Sequence, residues 1–180
     1  MSAQQGPFGC LPAEGAFASL PLGRNREILA PFASALAGAG SYTAPEGGTI
    51  MGRFGWADPA TGLVNNTRTS PADQIGIVLP YRDRSGASVV GVGWTWSFFD
   101  PVANAYRVRE GLSVTLMSRG NFWLRFAGGA YYGQPVYASL VDGSAISGDT
   151  GGAELTPWIV CSNANPGCLA IVSSTAKFGA

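Results

Sequence analysis

The sequence predicts an all-β fold, either a β-sandwich or a β-barrel, that follows an extended N-terminal arm. The 180 residues include 26 Gly and 12 Pro, together about a fifth of the chain against a usual share of roughly 12%. Only 12% of the residues are charged, about half the usual share. Short apolar or alternating runs recur at roughly eight- to twelve-residue intervals between turn signals. This composition disfavours long helices, and the spacing is typical of sandwiches and barrels.

The arm is predicted to cover residues 1–48, where Ala, Gly and Pro dominate. One short helix at 26–37 fits the pattern only if it begins at Pro31, since proline is tolerated at the first helical position and breaks a helix interior. Residues 49–180 then form the single all-β domain that the length allows.

Ten runs of the domain are predicted to be strands, each bounded by Gly, Pro, Asp or Ser turn signals. They are 49–56, 63–67, 75–79, 88–99, 106–109, 113–117, 121–126, 136–140, 158–162 and 169–173. The segment 113–126 predicts a hairpin, because apolar residues alternate in both halves and Ser-Arg-Gly supplies the turn. In its second half, one side is apolar and the other carries Trp123 beside Arg125. That strand is therefore either buried on both sides or presents its second side to a partner.

The charged and catalytic side chains exclude several classes of protein. Eleven basic and eleven acidic residues give a formal net charge of zero, so we expect no binding of nucleic acid or anionic membranes. The absence of histidine excludes Ser-His-Asp, Cys-His and His-based zinc chemistry. Lys177 is the single lysine, and the ten arginines suit packed interfaces. We expect no catalytic residue, no metal and no cofactor.

The cysteines and the N-terminus bear on the compartment. Cys10, Cys161 and Cys168 are an odd and sparse set without CxxC spacing, which indicates neither a disulfide scaffold nor a zinc module. A bridge between Cys161 and Cys168 across the turn at 163–167 stays open beside ordinary half-buried thiols. The N-terminus lacks a signal-peptide pattern, and no apolar run approaches the ~20 residues of a membrane span. We therefore expect a soluble protein that is not exported by a signal peptide.

Acidic and aromatic residues leave two interpretations open. Six aspartates stand beside Pro, Gly, Arg or Ser, which is typical of residues that hydrogen-bond their own turn: Asp58, Asp73, Asp83, Asp100, Asp142 and Asp149. No pair of carboxylates is nominated for acid/base catalysis. Aromatic clusters fill the core of a sandwich, or else they stack on sugars or anchor a protein interface. Those clusters are at 94–99, 122–123 and 131–137.

Four segments resemble the structural cement, or capsid decoration, family of tailed bacteriophages. The matching segments follow the family's order and spacing over about two thirds of the chain: GRFGWADPATGLVNNT (52–67), EGLSVTLMSRGNFWLRF (110–126), YYGQPVYASLVDGSAI (131–146) and WIVCSNANPGCLAIVSS (158–174). The chain departs from the family at Asn121, where an acid is usual, and at Cys168, where Glu is usual. The segment 75–107 lacks the usual charged run.

The resemblance implies a jelly-roll-like, non-enzymatic virion protein that is present in the host cytoplasm during assembly. Such a protein binds the outer surface of an icosahedral capsid and bridges neighbouring major capsid protein subunits. Its implied partners are the major capsid protein and other copies of itself, in a dimer or trimer. We expect the capsid and subunit contacts to include Arg24, Arg26 and Phe32 in the arm, and Arg53 or Arg125 on the domain.

Two other functions remain as alternatives. The Trp and Tyr clusters are compatible with a carbohydrate-binding or adhesin-like β-sandwich on a virion or cell surface. An enzyme that uses two carboxylates is the weakest alternative, because the chain has neither histidine nor a recognisable acid motif.

Overall fold

The structure, a computed structural model, describes residues 42–71, 73–80, 97–102, 105–117, 120–148 and 151–174. Within these ranges the chain forms strands and turns and contains no helix, which confirms the predicted all-β class. The strands are β1 (Thr49–Ile50), β2 (Phe54–Ala57), β3 (Val64–Asn65), β4 (Gln74–Pro80), β5 (Ser97–Asp100), β6 (Ala105–Val108), β7 (Val114–Met117), β8 (Asn121–Phe126), β9 (Pro135–Ser139), β10 (Ala145–Ser147), β11 (Ala153–Val160) and β12 (Cys168–Ser173).

Five strands close into a barrel in the order β10-β8-β12-β11-β9. Neighbours are antiparallel except β10 and β8, whose parallel pair between Ala145 and Phe126 closes the ring. Inward positions alternate along each strand, as the two-residue period of a strand requires. On β9, for example, Val136 and Ala138 are fully buried. Jelly-roll-like connectivity remains an expectation from the resemblance.

A four-stranded antiparallel sheet, β3-β2-β4-β7, shares its core with the barrel. Phe54 and Trp56 on β2 belong to the same buried cluster as Trp158 on β11. The rings of Phe54 and Trp158 lie 5.5 Å apart at 56°, a tilted geometry that aromatic pairs favour. Apolar burial between the sheet and the barrel therefore makes them one unit.

A second core lies on the other side of the four-stranded sheet and includes Val64, Val78 and Val108. Val108 belongs to the three-stranded sheet β1-β6-β5. Residues 42–48, the C-terminal end of the predicted arm, pack here as well. Tyr42 is 2% exposed, and Thr43 forms isolated β-bridges with Leu63 and Ser113. The packed body thus includes residues from Tyr42 onward. The rest of the arm, including the predicted helix at 26–37, lies outside the described residues.

Two predictions about strands are wrong. The run 49–56 is two strands in different sheets, because the chain turns between β1 and β2 at residues 51–53. The predicted hairpin at 113–126 does not form, because β7 pairs with β4 while β8 pairs with β12 and β10. Alternation showed correctly that both runs are strands, but it carries no information about which strand is the partner.

Other sequence predictions have mixed outcomes. The strand β10 and the first half of β11 were not predicted, and of the predicted strand 88–99 the structure describes only 97–99. Trp123 is 4% exposed, so β8 is buried on both sides rather than presenting Trp123 to a partner. The bridge between Cys161 and Cys168, which the sequence left open, does not form, because Cys161 is a free thiol.

Candidate functional site

A polar junction joins the turn before β2 to the turn between β9 and β10. The Arg53 guanidinium donates to Asp142 Oδ2 at 2.9 Å and to the Asp142 backbone carbonyl at 3.3 Å. Burial of the Asp142 carboxyl acts to raise its pKa, but hydrogen bonds from Ser139 and Ser144 and the charge of Arg53 outweigh burial. The pKa of Asp142 therefore lies below its ordinary value.

Gly143 brings the two backbones of this junction into direct contact. Its carbonyl accepts a hydrogen bond of 2.8 Å from the Phe54 N–H. A Cβ at this position would lie 2.1 Å from the Phe54 carbonyl oxygen, and the backbone φ is +69°. Only glycine adopts this φ and this close approach without strain.

Asn66 completes the junction by binding both β1 and β2. Its Oδ1 accepts from the Ile50 N–H at 2.6 Å, and its Nδ2 donates to the carbonyls of Ile50 at 3.2 Å and Phe54 at 2.9 Å. Two of the segments that carry the family resemblance, 52–67 and 131–146, thus converge here. Their role at this place is to connect the four-stranded sheet to the barrel.

The structure locates two of the five predicted contact residues. The Arg53 side chain is 15% exposed and is bound within the junction. Arg125 is half-buried on β8, opposite Leu169 of β12. Arg24, Arg26 and Phe32 lie outside the described residues, so their role as contacts stays a prediction.

A second polar contact ties the same sheet to the barrel. Glu154 on β11 accepts a hydrogen bond from Trp56 Nε1 at 2.9 Å and forms an ion pair of 3.1 Å with Arg68. Because Glu154 faces the sheet, its neighbour Leu155 points in the opposite direction, away from the core.

The turn role predicted for the aspartates is confirmed at the four described positions. Each accepts a backbone hydrogen bond within its own turn. The donors are the N–H groups of Ala60 for Asp58, Ser70 for Asp73, Val102 for Asp100 and Ser144 for Asp142. These carboxylates therefore stabilise the turns in which they lie.

An apolar row crosses the outer side of the barrel on β10, β9 and β11. Tyr137 on β9 is registered with Ile146 of β10 and with Leu155 of β11. Leu155 is 61% exposed, while Tyr137 and Ile146 are half-buried. We call these three residues the outward row. Large apolar side chains adjacent on three neighbouring strands form a continuous patch rather than scattered exposure.

Three further apolar residues extend the outward row along β9 and β11. Pro135 and Pro157 are exposed and Ile159 is half-buried, and Ile159 is registered with Pro135. The register shifts between Leu155 and Ile159, but the alternation along β11 is kept, so Trp158 is buried while its neighbours Pro157 and Ile159 face outward. No member of the row or of this extension carries a charge.

The sequence analysis missed the outward row, although a signal for it was present. In 135–139 and 153–160 apolar residues occupy both alternating sets of positions. That pattern indicates either burial on both sides or an apolar outer side. The choice between them required the exposure of Leu155.

The described residues also bear on thiol reactivity, metal binding and membrane spanning. Burial raises the pKa of the Cys161 thiol, which disfavours the thiolate needed for nucleophilic chemistry. In the described ranges no group of three or more Cys, Asp or Glu side chains is placed to hold a metal ion. Nor do these ranges include a helix with the length and apolarity needed to cross a bilayer.

Comparison with known proteins adds one finding. A family model described as XM1 gp53 minor capsid protein matches residues 31–174, about four fifths of the chain. No curated protein matches the sequence. The matched range contains all twelve strands, the junction and the outward row. The expectation of kinship with phage capsid proteins, drawn from the sequence motifs, is confirmed.

Proposed function

The chain belongs to the XM1 gp53 minor capsid protein family, and from that premise we propose that it is a non-enzymatic cement protein. As a minor capsid protein it is a structural component of a phage virion. The proposed task is to bind the outer surface of the icosahedral capsid and to bridge neighbouring major capsid protein subunits. The outward row is the single observation on which we base the docking surface.

The chemistry of the outward row supports binding to another protein. Tyr137 supplies a large amphipathic ring, and Leu155 and Ile146 supply aliphatic surface without charge. Interface centres are enriched in aromatic residues and depleted in charge. Arg53 is already bound to Asp142. We therefore propose that the outward row, rather than Arg53, contacts the capsid, with Arg125 at the edge of this contact.

A cement protein acts by equilibrium linkage. A protein that binds only the assembled shell stabilises it by RT ln(1 + [L]/Kd), about 2.7 kcal/mol per site at a hundredfold excess over Kd. The gain is repeated at every site, so a modest interface on each copy is sufficient. The proposed function therefore requires a surface rather than a pocket.

Residues 1–48 are proposed to supply the bridging arm, with Arg24, Arg26 and Phe32 as contacts on a second subunit. A segment rich in turn residues that orders on docking wraps a large area at low affinity per unit of area. The arm's end at 42–48 packs against the body, so a chain that starts at Tyr42 retains this packing. We further propose that the protein acts as a dimer or trimer on the shell.

The test of the docking surface is co-sedimentation with expanded capsids that lack this protein. Wild-type protein is expected to bind saturably and to raise capsid survival on heating. Leu155→Asp places a charge in the row, and we expect binding at least tenfold weaker, equivalent to about 1.4 kcal/mol.

Val102→Asp is the matched control, because Val102 is 96% exposed at the β5–β6 turn and lies outside the row. We expect it to bind like wild type. Equal binding by both variants would remove the row from the proposal, and no saturable binding by the wild type would refute the cement function. If a variant that lacks residues 1–41 binds capsids as tightly as the wild type, the arm has no role in binding.

A further inference from the structure

The loop between β8 and β9 displays two adjacent tyrosines at one end of the barrel. Tyr131 is 68% exposed and Tyr132 is 62% exposed. Among the described residues these are the most exposed aromatic side chains. By contrast, the aromatic side chains at positions 54, 56, 122, 123, 126 and 158 are buried. An exposed pair of large rings marks a binding surface more often than chance exposure of one residue does.

Backbone hydrogen bonds hold this loop in one conformation. The Gly133 N–H donates to the Val160 carbonyl at 2.8 Å, and the Gln134 N–H donates to the Tyr131 carbonyl at 3.2 Å. Ala130 pairs with Ala164 in both directions, at 2.9 and 2.8 Å. The rings are therefore presented by a preorganised loop, which lowers the ordering cost of binding a ligand.

Each tyrosine backbone is bonded to a side-chain amide. The Tyr131 N–H donates to Gln134 Oε1 at 3.1 Å, and the Tyr132 N–H donates to Asn163 Oδ1 at 2.7 Å. Because a backbone N–H requires an acceptor, both amide oxygens must face the loop. Gln134 Oε1 also accepts from the Ser147 hydroxyl.

Because the oxygen of each amide is used in these bonds, its NH2 group remains available to donate to a ligand. Within the described residues, neither Asn163 Nδ2 nor Gln134 Nε2 donates a hydrogen bond. Asn163 is exposed and Gln134 is half-buried. Each NH2 group offers two N–H donors, so the surface combines two rings with oriented neutral donors.

We propose that Tyr131, Tyr132, Asn163 and Gln134 form a binding site for a neutral carbohydrate. The apolar C–H face of a pyranose packs on an aromatic ring, and its hydroxyl oxygens accept from fixed amide N–H groups. No side chain of the set carries a charge, which disfavours sialylated or sulfated glycans, since those require cationic partners. The site shares no residue with the outward row and goes beyond the cement function.

Protein docking at this position is less favoured because the groups bonded to the two tyrosines are polar and uncharged. Binding hot spots lie in pockets enclosed by residues that exclude water. Here the side chains bonded to the two tyrosine N–H groups are the amides of Gln134 and Asn163. Exposed hydroxyl and amide groups match a hydroxyl-rich ligand better.

The test is a printed array of neutral and anionic oligosaccharides, followed by titration calorimetry with each positive oligosaccharide. We expect the full-length protein to bind neutral oligosaccharides saturably. Tyr131→Ala and Tyr132→Ala are expected to weaken this binding at least tenfold. Asn163→Asp keeps the acceptor for the Tyr132 N–H and removes the donor, and we expect a similar loss without loss of fold, checked by thermal unfolding.

Val102→Ser is the control for an exposed apolar side chain outside the site, and its glycan binding should equal that of the wild type. Binding to anionic glycans alone, no saturable binding, or unchanged binding by both tyrosine variants would each overturn the proposal. Tyrosine variants that lose capsid binding when the wild type binds no glycan would assign the pair to the capsid interface. Cement activity itself is measured separately by co-sedimentation, so the two proposals fail independently.

Discussion

The junction at Arg53, Asn66 and Gly143 joins the four-stranded sheet to the barrel, and the outward row at Tyr137 and Leu155 lies on the barrel itself. The chemistry of the two regions is opposite. The junction is polar, and its groups bind one another. The row is apolar, and within the described residues its most exposed member, Leu155, is 61% accessible. Groups that satisfy each other stabilise the fold, whereas apolar surface left in water gains free energy only when a partner covers it. The two regions therefore separate stability from binding.

The largest expected effect is the loss of close approach at the junction. Gly143→Ala places a Cβ 2.1 Å from the Phe54 carbonyl oxygen in a residue with φ +69°. We expect a loss of about 3 kcal/mol or more in the free energy of unfolding, because the backbones must move apart. Urea unfolding measures the change.

Gly62→Ala is the matched control for this prediction. Its φ is +72°, and nothing lies within 4 Å of the added Cβ, so only the conformational strain of roughly 1 kcal/mol applies. Equal losses for the two variants would show that close approach contributes nothing at the junction.

The next effect is the removal of the Asn66 side chain. Asn66→Ala deletes three hydrogen bonds to Ile50 and Phe54, and we expect a loss of about 2 kcal/mol. Asn66→Asp retains an acceptor for the Ile50 N–H but loses both donated bonds, so its stability should fall between those of Ala and Asn. A stability of Asn66→Ala equal to wild type would contradict the structural role of the junction.

A smaller effect concerns the pH dependence of the ion pair. The pKa of Asp142 is lowered in the folded protein, so its contribution is present above the unfolded pKa of about 3.9 and is lost as pH falls through the folded value. The side chain is 45% exposed, so solvent screening limits this contribution to less than about 1 kcal/mol.

We therefore expect Asp142→Asn to be less stable than wild type at pH 7, with a difference that shrinks below about pH 4. Unfolding in denaturant at pH 7, 5 and 3 measures it. A difference that stays constant over this range would show that the charge of Asp142 is not the source.

The smallest effect on stability is expected in the row. Leu155→Thr replaces a side chain that is 61% exposed with a β-branched residue suited to a strand, so the free energy of unfolding should change by no more than about 0.5 kcal/mol. The same variant should bind capsids more weakly than wild type. A large loss of stability would place Leu155 in the fold rather than in the binding surface.

The sequence allowed the local features to be predicted. The turns at Asp58, Asp73, Asp100 and Asp142 are confirmed, because a carboxylate that accepts its own turn's N–H groups acts over two or three residues. Alternation placed most strands correctly for the same reason. The wrong hairpin at 113–126 shows the limit, because both halves have the right period and their partners lie elsewhere in the chain.

The candidate site was predicted less well than the fold. Arg53 was predicted to be a contact residue because arginine is common at interfaces. An arginine can equally pair with a carboxylate of its own chain, and the sequence did not reveal this partner because Asp142 is 89 positions away. Leu155 was not nominated, since an apolar residue in a strand is ordinarily assigned to the core. Alternation puts Trp158 and Leu155 on opposite sides of β11, but which of the two sides is buried becomes evident only from the structure.

The sequence by itself determined the all-β class, the turns, the absence of histidine chemistry and the kinship with phage capsid proteins. These features depend on composition and on neighbouring residues, which the chain specifies locally. Only the tertiary structure decided which strands pair, that two motifs meet at one junction, and that an apolar row and a tyrosine pair remain outside. Those outcomes depend on contacts between distant segments. When one side of a strand is buried against such a segment, the side chains on its other side remain exposed.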